Sequence, residues 1–305
     1  MTTESSIDRE SVVRLEDGRL QIRAHAKLNL GLRVFPARPD GFHDLETWMT
    51  RISWYDTITV QEAKGLHFAV TGRTENIPTE HDKNLVTRAA LMLASAAGIQ
   101  PSARITLHKV LPSGGGIGGG SSDAACTLVA LNQLWNLHLE PSRLKAIAAQ
   151  LGSDIPFFVE GIPSLCKGRG EIMTPLRAAH GLFAVLLLPP IGCATKGVYY
   201  AFDHGYQHKP AFPPTDWQSC AKATVSELDR LLINDLEPAA FSVAPALATL
   251  RQRAAGLAKK PVHLTGSGST LFILCGSGTQ ASLTAEELSC HLAPECACIP
   301  VRILA

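Results

Sequence analysis

The chain has 305 residues, 46% of them apolar, and its 28 Lys and Arg nearly balance 27 Asp and Glu, leaving a formal net charge of +1. Such a length suits two domains, and such an apolar fraction suffices for a sizeable core. The charge balance excludes the basic excess of a nucleic-acid or membrane-surface binder. The longest apolar run, LFAVLLLPP at residues 182–190, falls far short of the roughly 20 residues that span a bilayer.

The first residues are polar and mixed in charge, without the apolar stretch of a secretory signal. About 15 of them are expected to form a frayed tail. From residue 20 to residue 34 the sequence alternates. Leu20, Ile22, Ala24, Ala26, Leu28, Leu30, Leu32 and Val34 fall on one face of a predicted strand. Arg23, His25, Lys27, Asn29 and Arg33 fall on the other, giving an apolar back and a polar front. Lys27 and Asn29 therefore point the same way. A turn is predicted at residues 37–41 (ARPDG), with strands over 45–60. Residues 84–97 (NLVTRAALMLASAA) predict a helix with Asn84 as its N-cap, and 104–110 (RITLHKV) a strand.

A glycine stretch follows. Then Ala124, Ala125, Leu128, Leu131, Leu134 and Trp135 recur at helical spacing over 121–135. Residues 141–151 predict another helix, ended by Gly152. Near Pro175 the composition changes, and a domain boundary is expected near residue 178, dividing 1–178 from 179–305. Residues 182–188 read as a buried strand and 215–238 as polar and partly helical. Residues 262–264 and 271–274 read as short strands flanking the turn TGSGST. The eight cysteines are scattered. Cys296 and Cys298 form a C-x-C pair with no matching His or Cys pair nearby, so the cysteines read as buried free thiols of a reducing cytoplasm.

The stretch LPSGGGIGGGSSDAA, residues 111–125, carries six glycines in seven positions. Between a strand and a helix, such a loop lets successive backbone N–H groups converge with no Cβ in the way. The helix adds its free N–H groups and positive dipole end. Together they make a phosphate cradle. The P-loop pattern is absent, because no lysine follows Gly120. Gly114, Gly116 and Gly119 formally satisfy the dinucleotide pattern G-x-G-x-x-G. The helix after the loop is followed by a second predicted helix, 141–151, where that fold requires a strand, and the dinucleotide reading is rejected.

Three further stretches accompany the loop: AKLNLGL at 26–32, LGSDIPFF at 151–158 and LTGSGSTLF at 264–272. Each alone has a plain explanation: a solvated strand lysine, a turn aspartate before Pro156, an ordinary hairpin turn. Their order is more specific, and with it the sequence resembles the GHMP kinases. Further cues are RPDGFHDLETWM (38–49), NLVTRAA (84–90), GRGEIMTPL (168–176) and NDLEPAA (234–240), so the resemblance spans nearly all the chain after residue 20.

The resemblance implies an α+β, two-domain kinase with a ribosomal-S5-like N-terminal domain, a ferredoxin-like C-terminal domain and an active site in the cleft. It implies transfer of the γ-phosphoryl of ATP to the 2-hydroxyl of 4-diphosphocytidyl-2-C-methyl-D-erythritol, in non-mevalonate isoprenoid biosynthesis. Another alcohol acceptor (mevalonate, homoserine or a sugar) and a non-catalytic nucleotide-binding role are the alternatives. By the same resemblance Lys27 and Asp154 are the catalytic pair. Asn84 contacts adenine, and Pro112, Ser113, Gly114, Gly115, Gly116, Ile117, Gly118, Gly119, Gly120, Ser121 and Ser122 cradle the ATP phosphates. Asn29, Phe42, His43, Thr195 and Tyr199 line the substrate pocket, with Phe42 and Tyr199 sandwiching cytosine. The family usually has tyrosine where Phe42 stands and phenylalanine where Tyr199 stands, and Ser153 replaces a usual alanine. Magnesium is expected with ATP, without assigned protein ligands. Neither nucleic acid nor membrane is an expected partner, and the chain is expected to be a cytoplasmic monomer or homodimer.

Overall fold

The structure is a computed structural model that describes residues 12–75, 77–78, 80, 82–178, 181–205 and 215–304. In chain order its elements are β1 (Val13–Arg14), β2 (Leu20–Ala37), β3 (His43–Gln61), β4 (Leu66–Gly72), α1 (Leu85–Ala97), β5 (Ala103–Lys109), α2 (Gly119–Leu134), α3 (Pro141–Leu151), α4 (Ile155–Glu160), β6 (Ser164–Gly168), β7 (Ile172–Pro175) and β8 (Leu182–Leu188). They continue with α5 (Thr195–Gly205), α6 (Trp217–Lys222), α7 (Val225–Leu231), α8 (Glu237–Val243), α9 (Pro245–Ala258), β9 (His263–Leu264), β10 (Leu271–Cys275), α10 (Gly278–Leu292) and β11 (Ala297–Ile303).

Contacts group the described residues of these segments into two compact units: those within 1–25, 55–113 and 119–162, and those within 26–54, 114–118 and 163–305. The grouping is interleaved rather than cut once near residue 178. The reason lies in β2 and β3, whose 18 and 19 residues are long enough to serve one unit with one half and the other unit with the rest.

In the first unit β3 pairs antiparallel with β5, Thr57 opposite His108, and β5 pairs in parallel with β4. α1 packs on α2, and α2 on α4. The core collects Ile58, Val60, Leu93, Ile105, Leu107, Leu128, Leu131 and Phe157, all buried, each contributing about 1.5–3 kcal/mol on leaving water. Asn84 caps α1 as its sequence predicts, its Oδ1 accepting from the Val86 N–H at 2.8 Å. Gly98 closes that helix in the left-handed region at φ +67°. The expected frayed tail is too long by at least the residues of β1, where Val13 and Arg14 pair with Gln21 and Leu20. Residues 1–11 lie outside the described residues.

In the second unit β11, β8, β10 and β9 form an antiparallel run, and β6 and β7 extend from the first half of β3. Its core gathers Val185 and Leu187 of β8, Ile273 of β10, Leu247 of α9 and Leu288 of α10. Gly31 of β2 lies where a Cβ would stand 2.7 Å from the Trp217 ring, so only glycine leaves the indole its place. All eight cysteines are free thiols, seven of them buried. Among the described residues no helix is long and apolar enough to cross a membrane.

Candidate active site

The structure rules out the plain explanation of Lys27 as a solvated strand lysine. Lys27 and Asn29 are only 4% and 7% exposed, and the alternation places both in one buried polar shell. The Lys27 ammonium donates to Asn29 Oδ1. Asn29 Nδ2 donates to Thr47 Oγ1 at 2.7 Å, and Thr47 Oγ1 donates onward to the Gly31 carbonyl at 2.8 Å. The Asn29 backbone N–H donates to Thr265 Oγ1 at 2.8 Å, bringing the TGSGST turn against the strand. Gly266, at φ +58°, comes close to both residues: a Cβ there would stand 3.2 Å from Asn29 Oδ1 and 3.4 Å from Lys27 Nζ.

The middle of the glycine loop joins this shell. Lys27 N–H donates to the Ile117 carbonyl at 2.9 Å, and Thr270 Oγ1 to the Gly115 carbonyl at 2.6 Å. Gly116 has φ +75°, and a Cβ there would be 2.6 Å from the Gly268 carbonyl oxygen. Thr195 Oγ1 and Ser267 Oγ are 2.9 Å apart, so α5 is tied to the same turn. Asn234 steadies the turn from behind, donating from Nδ2 to the carbonyls of Leu264 and Gly266, both at 2.8 Å. The neighbouring Asp235 accepts from the Val34 N–H of β2 at 2.9 Å.

At the end of β2 the ARPDG turn closes through the Gly41 N–H to the Arg38 carbonyl, 2.9 Å. His43, just beyond it, is buried. Its Nδ1 donates to the Phe35 carbonyl at 2.7 Å, and its Nε2 stands 3.2 Å from Asp203 Oδ1. The Tyr199 ring lies 5.4 Å from the imidazole, centroid to centroid. Phe42 is 47% exposed, and the Arg169 guanidinium covers one of its faces 3.6 Å from the ring centroid.

The first unit holds the remaining residues. Asn84 Nδ2 donates to the Pro78 carbonyl at 2.7 Å, so both ends of the amide already serve the start of α1. Ser122 is buried, and its Oγ has no hydrogen-bond partner among the described residues. Asp154 directly precedes α4 and Pro156. Lys27 belongs to the second unit and Asp154 to the first.

Beneath the loop lies a cluster that sequence reasoning missed. Lys109 Nζ donates to Asp56 Oδ2 and to Asp123 Oδ2, the latter at 2.8 Å, with all three side chains buried. Burial pushes the Asp123 carboxyl up to about 8; Lys109 pulls it down and Asp56 pushes it up. Burial opposes the Lys109 charge, but the two carboxyls raise its pKa on balance. The signal was in the periodicity. Lys109 shares its strand face with Ala103, Ile105 and Leu107, and Asp56 shares its own with Ile58 and Val60. Ionisable residues in an apolar phase demand partners.

Residues 84–161 match the family model described as the GHMP kinases N terminal domain. The chain is 38% identical over 251 residues to the 4-diphosphocytidyl-2-C-methyl-D-erythritol kinase of Pelotomaculum thermopropionicum, covering 82% of this chain and 86% of that protein. The chain belongs to the 4-diphosphocytidyl-2-C-methyl-D-erythritol kinase family of GHMP kinases. A crystal structure of 4-(cytidine 5'-diphospho)-2C-methyl-D-erythritol kinase superposes with a TM-score of 0.77 at 33% identity, over 93% of this chain and 99% of that one. Homoserine kinase from Cytophaga hutchinsonii superposes at 0.70 with 17% identity, over 97% of each chain, and shares the fold alone. The two-domain GHMP kinase fold is thus the fold of this chain.

For a kinase of this family the two glycine turns are chemically apt. Bare backbone at Gly116 and Gly266 lets the two turns approach one another and the buried Lys27 ammonium closely, where charge counts for more than in water. Sequence reasoning also passed over Thr47, Thr265, Arg169 and Asp203. The two threonines act through hydroxyl contacts to residues far away in the chain, which no local pattern carries.

Proposed function

We propose that this chain transfers the γ-phosphoryl of ATP to the tertiary 2-hydroxyl of 4-diphosphocytidyl-2-C-methyl-D-erythritol, giving the 2-phosphate and ADP. The observation that carries this reading is the 38% identity over 82% of the chain to a kinase of that name, with the Lys27–Asn29 shell intact. The likeness to homoserine kinase, at 17% identity, supports the fold and no other acceptor.

In this reading the 2-hydroxyl oxygen attacks the γ-phosphorus, the bond from that phosphorus to the β,γ-bridging oxygen breaks, and ADP departs. Asp154 accepts the hydroxyl proton, and Lys27 offsets the charge that develops on the transferring oxygens. Asn29 holds the methylerythritol hydroxyls. Its amide is already oriented by Thr47 and its backbone by Thr265, so little freedom remains to be lost on binding. Residues 112–122 receive the phosphates, with Asn84 against adenine. His43 addresses the cytosine edge, Phe42 and Tyr199 stack on its faces, and Thr195 lines the pocket from α5.

Magnesium is brought on the triphosphate oxygens, whose charge it shields. Among the described residues no group of three or more His, Cys, Asp or Glu stands ready to hold a metal, and no protein ligand is assigned.

A coupled ADP-release assay tests the reading, offering the cytidylated substrate beside methylerythritol 4-phosphate, mevalonate and homoserine. Turnover with the cytidylated substrate alone, lost in Asp154→Ala, is the expected result. Turnover with an uncytidylated alcohol overturns the assignments of Phe42, His43 and Tyr199.

A further inference from the structure

We propose that Lys109, Asp56 and Asp123 form a charge-balanced positioning cluster that fixes both ends of the glycine loop and sets how tightly the loop holds phosphate. The proposal rests on the reading of residues 112–122 as the phosphate cradle. None of the three residues is assigned a contact with substrate or ATP. They act through the backbone.

The cluster reaches the loop from both sides within the first unit. Asp56 Oδ1 accepts from the N–H groups of Val110 and Leu111, at 2.5 and 2.8 Å, and so fixes the chain just before Pro112. The register of Thr57 opposite His108 puts Asp56 opposite Lys109 across the strand pair. Lys109 then reaches Asp123, one turn into α2, and fixes the helix on which the loop ends. Gly119 closes the arrangement: a Cβ there would stand 3.1 Å from Lys109 Nζ and 3.4 Å from Leu111 Cβ. Asp123 Oδ1 and the adjacent Ser122 Oγ are buried with no hydrogen-bond partner among the described residues.

One ammonium neutralises one carboxylate. The second carboxyl is neutral only while it holds a proton, and the charged groups acting on Asp123 are Lys109 of β5 and Asp56 of β3. With the Asp123 carboxyl pushed up to about 8, the cluster is neutral near pH 7 and carries a net negative charge above about pH 8. That charge appears one turn inside the helix whose N-terminal N–H groups face the loop, where it opposes a bound phosphate. By reciprocity, phosphate in the loop holds the proton on Asp123.

The test is calorimetric titration of ADP with magnesium into the wild-type chain and into Asp123→Asn, at pH values of about 6.5, 8 and 9. The amide copies the shape of the protonated carboxyl and cannot ionise. Wild-type affinity is expected to fall roughly three- to tenfold from the lowest pH to the highest. The variant is expected to stay level and to converge with wild type at the lowest pH. A level wild type, or an equal fall in the variant, overturns the proposal. Where Asp123→Asn does not fold, the wild type decides: ADP binding near pH 8 without proton uptake, measured in two buffers of different ionisation enthalpy, overturns it. Absence of ADP binding at every pH overturns the cradle reading itself, and the cluster's role with it.

Discussion

Two lysines are each 4% exposed in this protein, and their surroundings differ in kind. Lys109 stands between the carboxyls of Asp56 and Asp123. Lys27 gives its ammonium to the neutral amide oxygen of Asn29, within a shell of threonine hydroxyls and glycine backbone. A buried charge held by carboxylates is strongly coupled to the fold, and removing one partner strands the others. Lys27 lies instead where the TGSGST turn and the middle of the glycine loop meet β2. The contrast sets a lysine that ties two strands and a helix together against one placed at the meeting of the two glycine turns.

Substituting the two lysines breaks or sharpens that contrast. Lys27→Met is expected to lower kcat about 100-fold or more, with a stability loss of about 1–3 kcal/mol from the unsatisfied Asn29 amide. Asp154→Asn is expected to lower kcat by about 100-fold or more as well, with little change in the KM for ATP. Lys109→Met should do the reverse, costing about 3–5 kcal/mol in urea unfolding while the properly folded fraction keeps measurable turnover. Equal losses of stability at the two lysines would dissolve the distinction.

Gly116→Ala probes the meeting of the two glycine turns. Its φ of +75° and the Gly268 carbonyl 2.6 Å from the new Cβ leave the methyl no place without backbone movement. The expected cost is about 1–3 kcal/mol of strain, together with a raised KM for ATP. A further test is the pH dependence of stability at Asp123. Its folded pKa is raised, so its contribution is fully present below the unfolded value near 4 and is lost as pH rises toward about 8. The Tm of Asp123→Asn relative to wild type should therefore climb across that window and level off above it. A constant difference would mean that the carboxyl stays ionised beside Lys109.

Much of the fold was legible in local pattern. Helix α3 spans the predicted residues, and Asn84 caps α1 as its position at the head of NLVTRAA required. The period-2 reading of β2 placed Lys27 and Asn29 on one face correctly, but could not say that the face is buried. Alternation states which residues share a side and says nothing about what covers it. Helix α2 begins at Gly119, two residues before its apolar spacing suggested, because the cradle's last glycines form its first turn. The end that carries Phe42 and His43 was the least legible. Phe42 lies under Arg169, and His43 against Asp203, through contacts between segments more than a hundred residues apart.

The sequence by itself determined the glycine loop between strand and helix, the side of β2 that carries Lys27 and Asn29, and the family, because these rest on residue identity and short-range period. Only the tertiary structure decided that β2 is buried on both faces, that TGSGST closes on Asn29 and the loop, and that Lys109 lies between two carboxyls. Those facts depend on strand register and on which distant segments exclude water. Burial changes what a lysine or an aspartate can do far more than its neighbours in the chain reveal.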